Sequence, residues 1–452
     1  MPFMKKVIKG LFVIGMTVQI CMGFVWMCVN AFSVQKFSEA TEYIEMSSSF
    51  VLDEYVGILY PLLLFLLRIM TGEILCYTFL YILQVTVAFC CNCAFLQMSG
   101  LGEKKFFARR NIFGALYLVT VPFVAQLHMS VLPVSLTGSL FMLLLGLCFR
   151  IYYHGENGRV KNFVVACVLW TVMSLLATDY IWLGAIPFAW ILGIGLKRNW
   201  KGKIKSFFIV GLAGVLLVTG TVNAFTQQPG SRNNIQRTLG AAMVSRLAWP
   251  SFEANYYFWP EEVKAVMPPL KAREIDQYAD NVKLVMGPLF EEAFGKEQAN
   301  SYYWQIALRC FSDRTKEILP RIGEDFVSYL FTPFAIVYQL SGGGYSYSGW
   351  NFDRMWEQEK ALTSFYVEYS MYSFVVGMAI LLIYLLVEYV GKKKRPNVNG
   401  EMLLCILCVL SQAIWYTMSG TYMMDYKNVP LIILLWHSVI IWGVEKINGC
   451  EE

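Results

Sequence analysis

The stretch Val56–Met70, VGILYPLLLFLLRIM, decides the topology of everything that follows it. It is greasy enough to be read as a membrane crossing, yet it is short, contains Pro61 and ends with Arg68 close by. A helix needs about 20 apolar residues to cross a bilayer. If this stretch crosses, every later loop changes side. The basic residues choose between the two cases, because Lys and Arg collect in cytosolic loops. Lys5, Lys6 and Lys9 precede the first apolar block. Further groups follow at Lys104–Arg110, Arg150–Lys161, Lys197–Lys205, Lys392–Arg395 and Lys446. With 56–70 lying flat on the outer surface, all of these groups share the side of the N-terminus. With 56–70 as a crossing, all but the first group move outside. The stretch is therefore expected to be an outer juxtamembrane helix. The N-terminus is expected in the cytosol, and the protein in the plasma membrane as a multi-pass chain.

Composition sets the class. Of 452 residues, 57% are apolar and 15% are charged, against about 25% charged in ordinary soluble proteins. A soluble enzyme, a disordered chain and a basic-patch nucleic-acid binder are all excluded, so no nucleic-acid partner is expected. The apolar blocks are continuous rather than alternating, which excludes a lipid-facing barrel. The predicted fold is all-α: a polytopic membrane protein with about 10 transmembrane helices. Candidate spans are 8–33, 76–98, 111–128, 132–150, 162–178, 180–196, 205–224, 369–390, 402–418 and 429–444. The first is too long for a signal peptide. Three regions result: a membrane domain 1–224 with an outer loop 34–75, an extracytosolic and mostly helical domain 225–368, and a C-terminal three-helix membrane segment 369–452.

Cysteine adds little chemistry. Of the twelve cysteines, only Cys310 falls in the polar segment, so no loop disulfide is expected there. Cys90-Cys91-Asn92-Cys93 lies inside an apolar helix, where near-adjacent side chains point apart. It reads as packing.

In the polar segment, Pro260-Glu261-Glu262 marks a helix start. Ile275, Tyr278, Val282, Val285, Met286 and Leu289 then recur at helical spacing. Tyr302–Ile318 is a further such run. GGGYSYSGW (342–350) lacks the Lys-Ser/Thr ending of a phosphate loop and reads as an aromatic loop or linker. Tyr345 in it, with Tyr256, Tyr257, Trp259, Tyr347 and Trp350, offers rings on which a sugar could stack.

In this assignment no Asp, Glu, Lys or Arg falls mid-span. His437 is the one titratable group near a span centre, and a hydrogen-bonded core role is its plain reading. Ion-coupled transporters keep ionisable groups at the midplane, so a transporter is the lesser reading. It would need a polar path through Gln19, Gln84, Asn92, Gln126 and His437. The polar residues gather instead at the outer face: the acidic first loop, His128, Asp179, Asp425 and Lys427. Arg232, Arg237 and Arg246 follow the seventh span and could grip a phosphate by bidentate contacts. The plain alternative for each is a solvated loop charge.

SEATEYIEMSSSF (38–50), DEYVGILYPLLLFLLRIMTG (53–72) and LYILQ (80–84) resemble the opening of the C-type membrane glycosyltransferases. The likeness is to the branch with protein O-mannosyltransferases and the lipid A aminoarabinose transferase. There, a first span leads to an outer loop with an acid shortly before a Tyr. A Pro-containing amphipathic segment ending near Gly follows, and then the second span. Tyr60-Pro61-Leu62 to Gly72 matches that segment. The resemblance covers roughly 1–224 and implies an inverting transfer of sugar from a polyprenyl-phosphate donor. The acceptor would be a glycan, lipid or protein hydroxyl on the outer face. Glu39, four residues before Tyr43, stands where the family has Asp; Glu42 is the neighbouring alternative. The carboxylate acts as base or positions the acceptor. The leaving phosphate is neutralised by basic side chains or a divalent cation, though no metal ligands are assigned. Tyr43, His128, Arg232, Arg237, Arg246 and Tyr345 are the expected substrate contacts. Two departures stand out. The family's acid at the start of the fourth span is replaced by Thr137-Gly138, and its Arg-Pro pair after the fifth span by Thr178-Asp179. Asp179 is the candidate second acid; without one, the chain would be a non-catalytic scaffold on the same fold.

Overall fold

The computed structural model describes residues 2–30, 38–49, 57–153, 156–177, 184, 186–191, 209, 211–216, 239–249, 251–277, 282–331, 357–392, 400–419 and 429–448. Among them the regular elements are helices. In chain order these are α1 (Pro2–Asn30), α2 (Ser38–Ser49), α3 (Leu59–Met98), α4 (Arg109–Val119), α5 (Pro122–His128), α6 (Val134–Tyr153) and α7 (Glu156–Leu176). Then follow α8 (Leu239–Leu247), α9 (Phe252–Asn255), a 3-10 turn (Tyr256–Phe258), α10 (Glu261–Val266), α11 (Pro269–Gln277) and a π turn (Val282–Met286). The last are α12 (Gly287–Phe331), α13 (Glu357–Lys392), α14 (Gly400–Ser419) and α15 (Val429–Asn448). The chain divides into two compact units, one of Met1–Gln227, Phe334–Val409 and Pro430–Glu452, the other of Gln228–Pro333 and Leu410–Val429.

Four helical stretches among the described residues are long and apolar enough to cross a membrane: Lys6–Val29, Leu75–Met98, Val134–Ile151 and Lys360–Ile383. The count of about ten expected from sequence is thus met in part. The block expected as one span at 111–128 is α4 and α5, bent by 83° at their junction. Blocks expected at 162–178, 402–418 and 429–444 hold the shorter apolar helices Lys161–Leu176, Leu403–Ile414 and Ile433–Gly443. The spans expected at 180–196 and 205–224 lie largely outside the described residues.

The deciding stretch forms the first part of α3. That helix is broken at Gly72, whose φ of 76° and ψ of 169° are not helical. Residues 59–71 are therefore a separate helical piece of about 20 Å, and Leu75–Met98 is the part long and apolar enough to cross a membrane. Lys9 of α1 and Arg110 at the start of α4 line one cavity. The Lys9 part of α1 and the start of α4 are thus neighbours.

Helix α13 runs antiparallel to α1. Trp26 Nε1 donates to Thr363 Oγ1 at 2.9 Å, and the Tyr369 hydroxyl donates to the Gly15 carbonyl at 3.0 Å. Further along, a Cβ at Gly377 would sit 3.4 Å from the Phe12 ring. Lys6–Val29 thus lies alongside Lys360–Ile383, a stretch of α13 that is long and apolar enough to cross a membrane and that overlaps the expected 369–390.

The α4–α5 bend sits against this pair. The Tyr366 hydroxyl donates to the Thr120 carbonyl at the break, which satisfies a group the bend removes from the helix ladder. A Cβ at Gly23 would lie 2.6 Å from Thr120 Cβ and 2.8 Å from its carbonyl oxygen. Only glycine allows α1 so close. Helix α6 packs along α3, where a Cβ at Gly146 would be 3.0 Å from Phe95 Cα.

The second unit has its own core. Ile275, Val282 and Met286 of the expected apolar stripe are buried there with Phe252, Trp259 and Phe290. The Asp276 carboxylate accepts the backbone N–H groups of Phe252 at 2.8 Å and Glu253 at 2.7 Å, capping α9. Helix α12 turns at Gly295, where φ is 70°, and again at Arg314.

Candidate functional site

The expected site is built around α2, which the sequence reading had left as loop. Ser38 starts it, Glu39 falls in its first turn and Glu42 at the start of the next, and a carboxylate in the first turn suits the positive end of the helix dipole. Ala40, Met46 and Ser47 are buried and Tyr43 is half-buried. The Tyr43 ring meets Tyr60 edge-on at 5.3 Å, fixing α2 against the first piece of α3. Positions 39 and 42 are thereby placed on a helix packed against the Pro61 segment; their side chains lie outside the described residues.

From Tyr60 a line of buried polar groups runs into the first unit. Tyr60 is 0% exposed, and burial, with Tyr43 and Tyr81 nearby, raises its phenol well above the ordinary range. It stays a neutral hydroxyl. One turn beyond Tyr81 on α3, Gln84 Nε2 donates to the carbonyls of His128 at 3.0 Å and Ser130 at 2.9 Å. These bonds hold the chain where α5 ends. His128 Nδ1 shares a hydrogen bond of 2.8 Å with Ser135 Oγ at the start of α6. Four buried atoms on this line have no hydrogen-bond partner: Tyr60 Oη, Tyr81 Oη, Gln84 Oε1 and His128 Nε2. Unspent buried polar atoms are costly in a fold and call for an explanation. Close by, the backbone at Gly57 touches the carbonyls of Leu175 and Leu176 at the end of α7, so that no side chain fits there.

The remaining expected residues divide. Asp179, Arg232, Arg237, Tyr345, Asp425 and Lys427 lie outside the described residues. Arg246 belongs to the second unit, where it is 1% exposed and its Nη2 lies 2.6 Å from Asp325 Oδ2. Its charge is matched within that unit, which argues against a role in gripping phosphate. Of the aromatic residues considered for sugar stacking, Trp259 is core, edge-on to Phe252 at 5.5 Å. Tyr257 is 83% exposed, with Lys264 Nζ 5.6 Å from its ring centre. His437 Nδ1 donates to the Ile433 carbonyl at 2.8 Å and sits between the rings of Tyr117 and Phe374. Cys93 Sγ donates to the Asn111 carbonyl at 3.7 Å, in keeping with packing. Among the described residues no cluster of His, Cys, Asp and Glu has metal-binding geometry.

Sequence reasoning had not joined Tyr60, Tyr81, Gln84 and Ser135 to His128. A signal was present: Tyr77, Tyr81 and Gln84 recur at helical spacing along one side of an apolar run.

No family model, curated protein or solved structure matches this chain.

Proposed function

We propose that the protein is a membrane glycosyltransferase that moves a sugar from a polyprenyl-phosphate carrier to a hydroxyl acceptor at the outer face. The single observation that carries this reading is the break at Gly72, combined with α2 packed through Tyr43 on Tyr60. In this reading an acid-bearing helix stands beside a Pro-containing piece that does not itself cross, at the end of α1 away from Lys9. A lipid-borne donor presents its phosphate and sugar at that depth. In this reading Glu39, or Glu42 beside it, serves as base or positions the acceptor, with Asp179 as second acid. The buried line from Tyr60 to His128 supplies neutral donors and acceptors for sugar hydroxyls. The leaving phosphate needs a cation, supplied by Arg232, Arg237 or a divalent ion. The domain 225–368 is extracytosolic in this reading, and the N-terminus is cytosolic in a plasma membrane.

The transporter alternative gains less. Gln19, Gln84, Asn92, Gln126 and His437 are all buried. None of them lines the cavities of about 450 and 350 Å³ in the first unit.

The test is turnover of a polyprenyl-phosphate sugar by the purified full chain. Glu39→Gln should lower kcat by about 100-fold or more, the scale of lost acid–base catalysis. Undiminished turnover in Glu39→Gln, Glu42→Gln and Asp179→Asn alike would sink the carboxylate mechanism. No turnover by wild type with any such donor would leave the non-catalytic scaffold as the better account.

A further inference from the structure

The far ends of the same helices, on the side of Lys9, carry a second arrangement that sugar transfer does not use. A cavity of about 350 Å³ is lined there by Lys9, Val13, Leu96, Arg110, Phe113 and Ile441, among others. Two exposed cations thus share it with apolar walls contributed by α1, α3, α4 and α15.

The basic rim is built rather than incidental. Asn111 is 0% exposed, and its Oδ1 accepts the Glu103 backbone N–H at 2.8 Å. Its Nδ2 donates to the carbonyls of Glu103 and Lys105, both at 2.9 Å. Gln97 Nε2 donates to the Lys104 carbonyl at 2.6 Å. The backbone at Gly102 presses on the Asn111 amide, so no side chain fits there. The 99–108 loop is thereby locked, and Arg109 and Arg110 are held at the first turn of α4. That turn has Ala108 at its cap and no side-chain cap bond, so its N–H groups still favour an anion. Between 99 and 112 the one acid, Glu103, stands against Lys104, Lys105, Arg109 and Arg110.

We propose that this cavity binds one anionic phospholipid of the leaflet on the N-terminal side, its phosphate between Lys9 and Arg110 and an acyl chain along Val13, Phe113 and Ile441. Two cations above apolar walls at a membrane edge match a phosphodiester joined to a hydrocarbon tail. A soluble phosphate has no use for the walls. A zwitterionic lipid brings its own cation and gains little from a second pair. The proposal rests on the membrane reading alone and is independent of catalysis.

The test uses the purified full chain in neutral detergent, with phosphatidylglycerol, phosphatidylcholine and inorganic phosphate as probes and retained lipid read by native mass spectrometry. Each basic side chain near a membrane surface is worth about 5-fold in affinity for an anionic lipid, so the wild type should prefer phosphatidylglycerol by about 25-fold. Lys9→Gln with Arg110→Gln should abolish that preference. Both side chains are exposed, so the variant is expected to fold, which a circular dichroism melt checks. Lys104→Gln with Lys105→Gln removes the same charge outside the cavity lining and should keep the preference. The proposal is overturned if the wild type shows no preference, or if both double variants lose it equally, since a diffuse surface field would then be the cause. It is also overturned if inorganic phosphate displaces the lipid at comparable concentration.

Discussion

Gly72→Ala is the sharpest test of the topology, because the two readings of α3 demand opposite signs. At Gly72 φ is 76° and ψ is 169°, a conformation open almost only to glycine. A Cβ there would meet no atom within 4 Å. The substitution therefore acts through the backbone alone, with no clash to confuse the result. Holding alanine in that conformation costs about 1–3 kcal/mol. Were α3 an unbroken helix through position 72, the same change would instead stabilise it by about 1 kcal/mol, the difference in helix propensity. The assay is reversible unfolding in mixed micelles, with the full chain and matched lipid. Gly138→Ala is the control, since Gly138 lies within α6, has no positive φ and faces open space. It should be neutral or stabilising by up to about 1 kcal/mol. If Gly72→Ala proves as stabilising as Gly138→Ala, the break is wrong, and with it the separation of 59–71 from the crossing helix.

Other consequences can be measured in the same way. Gly23→Leu forces a side chain against Thr120 and should cost about 1–3 kcal/mol or more, read as a lowered unfolding midpoint. Gln84→Leu removes both bonds to the His128 and Ser130 carbonyls and should destabilise by about 1–3 kcal/mol. Turnover should fall with it if the polar line binds sugar. Arg246→Ala strands the Asp325 charge and should cost about 3–5 kcal/mol, seen as early loss of helix signal on melting. Burial raises the carboxyls of Asp276 and Asp325, outweighing the backbone bonds at one and Arg246 at the other. The folded state thus holds these protons more tightly than the unfolded one. Their stabilising contribution is full below the ordinary carboxylate value of about 4 and declines as pH rises through the raised values. Asp325→Asn should flatten that slope in midpoints measured from acid to neutral pH.

The features legible in sequence were those set by hydropathy and charge. Continuous apolar blocks gave helices, and the Pro61 segment with Gly72 marked a break that the backbone angles at 72 reproduce. The stripe Ile275, Val282 and Met286 was recognisable as core because period alone places it. Helix α2 was hidden because its residues are polar and it is held by a few contacts to α3, such as Tyr43 on Tyr60. The α4–α5 bend was hidden because hydropathy sums over 111–128 without seeing direction. Pro122 is compatible with a turn or with a first helical position. For the site, the position of His128 near the end of a span was legible. Its bond to Ser135 and its link to Gln84 were not, because such pairings arise only when separate helices meet.

The α1–α13 pairing also has a bearing on how the chain is made. Trp26 and Thr363 are 337 residues apart. At a translation speed of about 5–20 residues per second, about 17–70 s separate their emergence from the ribosome. Throughout that interval α1 lacks the neighbour that lies along it in the finished protein. Gln19, 0% exposed once assembly is complete, must wait among lipids or be shielded by the insertion machinery. The earlier-made of the two helices is thus kept from its final surroundings until the later one arrives.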